Sequence, residues 1–389
     1  MPRLLAMAPT ALALLLAACG ATADASDARS HARARVPEWR LAAEPSVAIG
    51  VADGDADHTL YRVAGAVRLG DGRIVVANGG TSELRVYDAR GRLTGRVGRE
   101  GRGPGEFESL AWLGSLPGDT LVVWDSGLLR WTLFTPAGAL VRSVTPRPEP
   151  PGMFPQVNGV LADGSLVISS GWNVAALSGG RPGVRQDSVT LLRYARDGAL
   201  ADTLARAPGR QEYVTRAGGA FATHPYPFAR ELFVAAAGRR VYVGNSEAYR
   251  VRMLDPAGAV VGEAAEEAPP VAVTAAERAR YRSDRLARIQ VESYRKQQEQ
   301  VLDEVPYPET YPAFSALRVD AAGNAWIADY TPPGRPRPWS IFDPAGHLLG
   351  TVRTPEELEV LQVGADFVLG RAVDAEGTEQ VRLYPLQRG

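Results

Sequence analysis

Apolar positions along this chain fall into short runs, not long stripes. Six times, a turn carrying Gly or Asp is followed by a β-rich run that ends near a polar residue: GDGRIVVAN to Asn78, PGDTLVVWD to Asp125, ADGSLVISS to Ser170, AGRRVYVGN to Asn245, AAGNAWIAD to Asp329 and VGADFVLGR to Arg371. With Gly72, Gly118, Gly164, Gly238, Gly323 and Gly364 as markers, the steps are 46, 46, 74, 85 and 41 residues. The short steps suit four strands each. A second motif follows the first five copies (YDARGRL, FTPAGAL, YARDGAL, LDPAGAV and FDPAGHL), with Asp, Pro and Gly supplying the backbone angles of a tight reversal. The sixth unit holds a third strand, QVRLYPL, and the chain then stops at Gly389. The early segment Glu38 to Val51 has no unit of its own and is expected to supply the missing strand. The pattern predicts an all-β fold, a six-bladed β-propeller of antiparallel four-stranded blades closed by an N-terminal strand. A βαβ protein would need helices between strands, and a solenoid would need capping units.

The glycine-rich stretch VGREGRGPGEFESL, Val97 to Leu110, matches neither phosphate-binding template. The third glycine of a dinucleotide fingerprint counted from Gly101 is Glu106, and Gly105 is followed by Glu106 and Phe107, not by Lys and Ser or Thr. It reads as a connector between blades, with Arg99 and Arg102 as the side chains able to touch a ligand. Antiparallel order puts the one-to-two and three-to-four turns on one side of the ring and the remaining connections on the other. All length irregularities fall on that second side. They are the connector 98–107, the insertion from Gly171 containing Trp172, the entry RAGGAFATHPYPF into blade four, the entry from about Val261 to Tyr311 into blade five, and YTPPGRPRP from Tyr330. Long loops gathered on one face mark it as the expected binding face. The blade five entry predicts one helix, Ala275 to about Leu302, opened by a Thr274 and Glu277 capping box and built of good helix formers. Its narrow apolar stripe leaves two roles open, an arm toward a partner or a rim helix.

The chain start changes the compartment. Arg3, an apolar run from Leu4 to Leu16 and the sequence Leu16-Ala17-Ala18-Cys19-Gly20 resemble a bacterial lipoprotein signal. The expected organisation is a signal peptide at 1–18, lipidation of Cys19, a flexible tether over 19–36, and a propeller over 37–389 with a helical insertion at about 274–303. Gly20 instead of Asp after the cysteine favours the outer membrane over the inner. Composition adds exclusions: 43 basic and 44 acidic side chains give a net charge of -1, so nothing draws the chain to nucleic acid. The single cysteine can form no internal disulfide.

Candidate chemistry is sparse, and no catalytic residue is assigned. Of the histidines, His224 alone sits on the loop-bearing side, whereas His347 lies in a turn opposite. Asn78, Asp125, Asn245 and Asp329 end four of the second strands. They either start the next turn by bonding their own backbone or form a ring of oxygens for a polar ligand or Ca2+. Trp124 and Trp326 occupy matching places and read as packing between blades or as a sugar-binding mouth. Tyr226, Tyr307 and Tyr311 form a candidate sticky surface. The ligand-binding candidates are therefore His224, Asp125, Asp329, Arg102, Trp172 and Tyr226, with no metal ligands and no cofactor assigned beyond the Ca2+ option.

From Trp39 onward the chain resembles the bacterial six-bladed β-propeller lipoproteins related to NHL-repeat and TolB-like propellers. The resemblance is carried by GPGEF at Gly103 to Phe107, YPAFSALRVDAAGNAWI from Tyr311, and WSIFDPAGHLLGTV from Trp339. It implies fold and envelope location and no activity. The expected function is a membrane-anchored binding scaffold for a peptide, glycan or envelope protein. The competing expectation is an extracytoplasmic hydrolase or lyase using His224 with Asp125 or Asp329, and a third is an envelope-complex subunit docked through the helix.

Overall fold

The computed structural model describes Arg33 and residues 36–389, apart from 53, 55, 148–153, 172–180, 218, 219, 268 and 333. Cys19, Trp172 and the signal segment lie outside the described residues. Two short strands open the chain, β1 (Arg40–Leu41) and β2 (Val47–Ile49). A first antiparallel set follows, β3 (Val63–Arg68), β4 (Ile74–Asn78), β5 (Glu83–Tyr87) and β6 (Leu93–Val97), then a second, β7 (Leu110–Ser115), β8 (Leu121–Asp125), β9 (Arg130–Phe134) and β10 (Leu140–Val144). The next nine strands share one sheet: β11 (Gln156–Val160), β12 (Leu166–Ser169), β13 (Gly183–Tyr194), β14 (Leu200–Ala217), β15 (Ala220–Pro225), β16 (Leu232–Ala237), β17 (Arg240–Asn245), β18 (Arg250–Leu254) and β19 (Val260–Ala265). Helices α1 (Ala275–Ala287) and α2 (Glu292–Glu304) precede β20 (Phe314–Val319), β21 (Ala325–Asp329), β22 (Arg337–Phe342) and β23 (Leu348–Thr354). The last set is β24 (Leu358–Val363), β25 (Phe367–Val373) and β26 (Glu379–Gln387).

The second strand of a set explains why its sequence reads as an unbroken apolar run. Strands β4, β8 and β21 are buried at every position, because each is covered on both faces by neighbouring sheets. The outer strand β6 instead alternates between half-buried and exposed. Hydrophobic clusters join consecutive sets, and one built on Ile74, Val76, Leu369 and Val381 joins the last set to the first. The arrangement is propeller-like. The turn glycines carry the geometry that the motif demanded. Gly346 has φ +93°, and a Cβ there would stand 2.0 Å from the Glu263 carbonyl oxygen.

Several expectations are corrected. Separate four-stranded sheets were expected throughout, but among the described residues hydrogen bonding gives five sheets, one of nine strands in which β11 meets β16 through a single parallel pair, Gly159 with Ala236. Gly159 allows this approach, since a Cβ would meet the Ala236 carbonyl oxygen at 2.6 Å. The closing segment 38–51 is two strands instead of one. Both β1 and β2 pair antiparallel with β26, and Glu38 reaches sideways to bridge Thr351 of β23. Where they are described, the expected loops around the third set are strand, with β13 and β14 continuing past the sheet as a ribbon that β15 extends. The expected single helix is a helical hairpin. Its capping box forms as read, Glu277 accepting from the Thr274 backbone N–H at 2.8 Å, but the helix breaks at 288–291. Ile289 and Val291 are β-branched and favour a break there. The reversal lets Leu286 and Leu302 bury in one cluster with Tyr226, which a straight helix would not allow.

Candidate functional site

Turns on the loop-bearing side bound two cavities. The larger is a groove of about 1360 Å³ lined by 247–250, by 265–267 and 269–271 after β19, by 310–313 before β20, by 329–332, 335, 336 and 338 after β21, and by 351–353. These are second-to-third turns, passages between sets and the far end of the fourth strand β23, so the groove lies on the side where the sequence gathers its long loops. The base of the helical insertion is clamped by the Ala272 and Thr310 bridge, with Tyr311 N–H donating to the Val271 carbonyl at 2.9 Å. That clamp fixes Glu277 and Tyr311 in the groove wall.

At the groove floor, Asp329 ends β21 and Glu266 follows β19, and a guanidinium lies between them. It belongs to Arg33. Its Nε and Nη2 donate to Glu266 at 3.0 and 2.5 Å, and its Nη1 and Nη2 donate to Asp329 at 2.5 and 3.0 Å. Its Cζ stands 5.5 Å from the ring centre of Tyr249. The three charged side chains are 10%, 14% and 11% exposed for Arg33, Glu266 and Asp329, so this is a nearly dry, doubly bidentate contact. Burial works against the Arg33 charge, yet the carboxylate hydrogen bonds more than offset it and hold its pKa above the ordinary value. Tyr249, whose hydroxyl donates to the Ile327 carbonyl at 3.2 Å, is pushed well up by burial and then by the Asp329 charge. Arg33 falls inside the segment expected to be a flexible tether. It is instead held in place.

One groove wall is aromatic. Tyr311 and Tyr330 stack at 4.7 Å and 22°, and Phe228, at φ +50°, meets both rings edge-on. Burial, with the charges of Tyr281 and Glu277, pushes the Tyr330 hydroxyl up to about 12. Both phenols therefore stay neutral hydrogen-bonding groups at ordinary pH.

The expected site residues part company. Asp125 is consumed by backbone, its carboxylate accepting from the N–H groups of Glu108, Ser109, Gly127 and Leu128. Asn78 accepts from the Tyr61 N–H at 2.8 Å and Asn245 from the Glu247 N–H at 3.0 Å. Asp329 differs from these three in turning its carboxylate to Arg33. Each of the four is engaged separately, and among the described residues no cluster of three or more His, Cys, Asp or Glu could hold a metal ion. Trp124 and Trp326 are 1% and 0% exposed, packing residues at both places. Arg102 pairs with Glu108 at 3.2 Å on the surface. Its connector is internally satisfied, with Arg130 donating to the carbonyls of Arg102, Gly103 and Glu106 and Phe107 fully buried beneath. His347 is exposed beside Asp343.

His224 lies on β15 in the second cavity, a cleft of about 780 Å³. Its Nε2 is 2.8 Å from Thr215 Oγ1, and neither Asp125 nor Asp329 lines that cleft. Tyr226 is buried against the helical hairpin instead of facing a ligand. Burial first, and the Arg285 charge second, lower the His224 pKa. The unfolded chain therefore binds the proton more readily. Stability contributed by neutral His224 is fully present above the ordinary histidine value of about 6.5 and is lost as pH falls through the lower folded value. Unfolding free energy measured from about pH 7.5 down to 5 is expected to fall less in His224→Gln than in the parent. Equal slopes would contradict this.

The residues that the sequence missed at the groove are Arg33, Glu266, Tyr249 and Tyr330. One signal was present: Asp329 is followed by Tyr-Thr-Pro-Pro, and prolines cannot offer backbone N–H groups to a turn-starting carboxylate.

No protein-family model matches the chain, and no curated protein matches it. Solved structures do. A member of the DUF4221 family from Bacteroides vulgatus is 10% identical with a TM-score of 0.50, over 90% of this chain and 99% of that one. A protein described as exported, from Bacteroides fragilis, is 12% identical with a TM-score of 0.48, over 90% and 95%. A calcium-binding regucalcin from Agrobacterium tumefaciens is 12% identical with a TM-score of 0.44, over 90% and 97%. At such identities the likeness concerns the propeller-like fold alone. Among the described residues no helix is long and apolar enough to cross a membrane.

Proposed function

We propose that this chain is a lipid-anchored extracytoplasmic protein that binds a peptide, glycan or envelope protein through the groove on its loop-bearing face. The observation that carries this is the groove itself, built from two strand sets and the segment ahead of β1, walled by tyrosine and proline and charged at its floor. On this reading the nine-stranded sheet is two blades touching at Gly159, and the ring has six blades in all. Residues 1–18 are a signal, and Cys19 bears the lipid, in the outer membrane by virtue of Gly20. Several acyl chains at about 0.8 kcal/mol per buried CH2 make such an anchor stable. The segment from Cys19 to Arg33, at about 3.5 Å per residue, then keeps the groove within about 50 Å of the lipid surface. Replacing Cys19 with alanine is expected to move the protein out of the membrane fraction.

A photo-crosslinking amino acid at Tyr330 in intact cells, compared with the same group at His347 on the opposite face, tests the groove. Discrete crosslinked species from the Tyr330 position and none from the His347 position are expected. Crosslinks from His347 alone would overturn the assignment of the face.

A further inference from the structure

We infer that the pocket formed by Glu266, Asp329 and Tyr249 is a guanidinium-recognition site, that Arg33 is its resident occupant, and that the groove's outside ligand is an extended peptide whose arginine replaces Arg33. This rests on the groove being the partner site. The pocket is more than a cluster of acids, because a cation is bound in it. That cation arrives from a residue ahead of the first strand, whose backbone carbonyl accepts the Val36 N–H at 3.2 Å. Its planar group is gripped along two edges by carboxylates from different sets, and a tyrosine ring lies within cation–π reach. An ammonium cannot satisfy two forks in one plane, so the geometry selects arginine over lysine.

The groove also continues well beyond Arg33. Its lining holds six carboxylates against three arginines other than Arg33, which favours a cationic ligand. Its proline and tyrosine walls suit an extended chain. A tethered occupant at an effective concentration on the order of millimolar weakens a competitor in proportion to that concentration over its own dissociation constant. For a site constant of about 0.1 mM the effect is roughly tenfold.

The probe is a fluorescent peptide with the sequence of residues 28–36, compared with versions carrying citrulline or lysine in place of all three of its arginines (29, 33 and 35), on the full chain in detergent. Arg33→Ala is expected to bind the arginine peptide about tenfold more tightly than the parent. The citrulline and lysine peptides should each lose about tenfold on Arg33→Ala, as should the arginine peptide on Arg33→Ala combined with Glu266→Gln and Asp329→Asn. Equal affinity for parent and Arg33→Ala, or no loss with citrulline, would overturn the inference. Thermal unfolding guards against a misfolded variant: millimolar methylguanidinium should raise the midpoint of Arg33→Ala and leave the triple variant unmoved, and no rise in Arg33→Ala counts against the pocket. If the Tyr330 crosslinks persist in Glu266→Gln with Asp329→Asn, the groove stands as the partner site and the arginine inference alone fails.

Discussion

Replacing Trp39 with alanine is expected to lower the unfolding free energy by about 3–5 kcal/mol, as for large aromatic truncations in cores. Trp39 is 6% exposed and sits where the chain's beginning, its end and β23 meet. Its ring meets Trp326 edge-on at 5.7 Å, and the Arg388 guanidinium lies 4.7 Å above it. Its backbone N–H donates to the Thr351 carbonyl at 2.7 Å, and Gly350 leaves room for the indole. The side chain therefore fills the seam between β23 and the last set, and its loss opens a cavity bordered by Trp326, Leu358 and Leu386. Urea unfolding provides the measurement. A loss below about 1 kcal/mol would mean that the seam is held by strand pairing alone.

Arg33→Ala and Asp329→Ala are expected to differ, although they remove the two ends of one ion pair. Without Arg33, Glu266 and Asp329 face each other with little water, and breaking a buried pair from this side costs about 3–5 kcal/mol. Without Asp329, Arg33 can turn out into solvent, because no strand holds its backbone. The cost is then the lost charge-assisted hydrogen bonds, about 1.5–3 kcal/mol. Asp329→Asn in the Arg33→Ala background should restore part of the loss by removing one of the opposed charges. Denaturant titration of the single and double variants reads the difference. Equal losses, or a larger one for Asp329→Ala, would show that Arg33 is fixed by contacts other than its two carboxylates.

The strands were legible because ring packing imposes a strong constraint on sequence. A strand such as LVVWD at 121–125, covered on both faces, must be apolar throughout, and its preceding turn must carry glycine. The side bearing the groove was legible for the same reason, since antiparallel alternation fixes where long connections can go. What stayed hidden depends on pairings across the ring. Arg33 lies 233 residues from Glu266 and 296 from Asp329, within a stretch whose composition reads as unstructured. Nothing local to an arginine announces such partners. The ribbon β13–β14 was hidden because Pro208 and Gly209 interrupt its sequence pattern, whereas the structure absorbs them with register shifts. The helical hairpin was hidden because Ile289 and Val291 give only a weak break signal inside a long run of helix formers.

A disulfide trap reports most directly on whether the chain's beginning closes the ring and so carries Arg33 to the groove. Arg40 and Gln387 are register partners between β1 and β26. Antiparallel partners stand about 4.5–5.5 Å apart at Cα, within the span of a disulfide. With Cys19 replaced by serine, Arg40→Cys with Gln387→Cys should oxidise to an intramolecular bond in the folded protein and raise its resistance to unfolding. Thiols that stay free in the folded protein, or that link only after denaturation, would place the first strand elsewhere and separate Arg33 from its pocket.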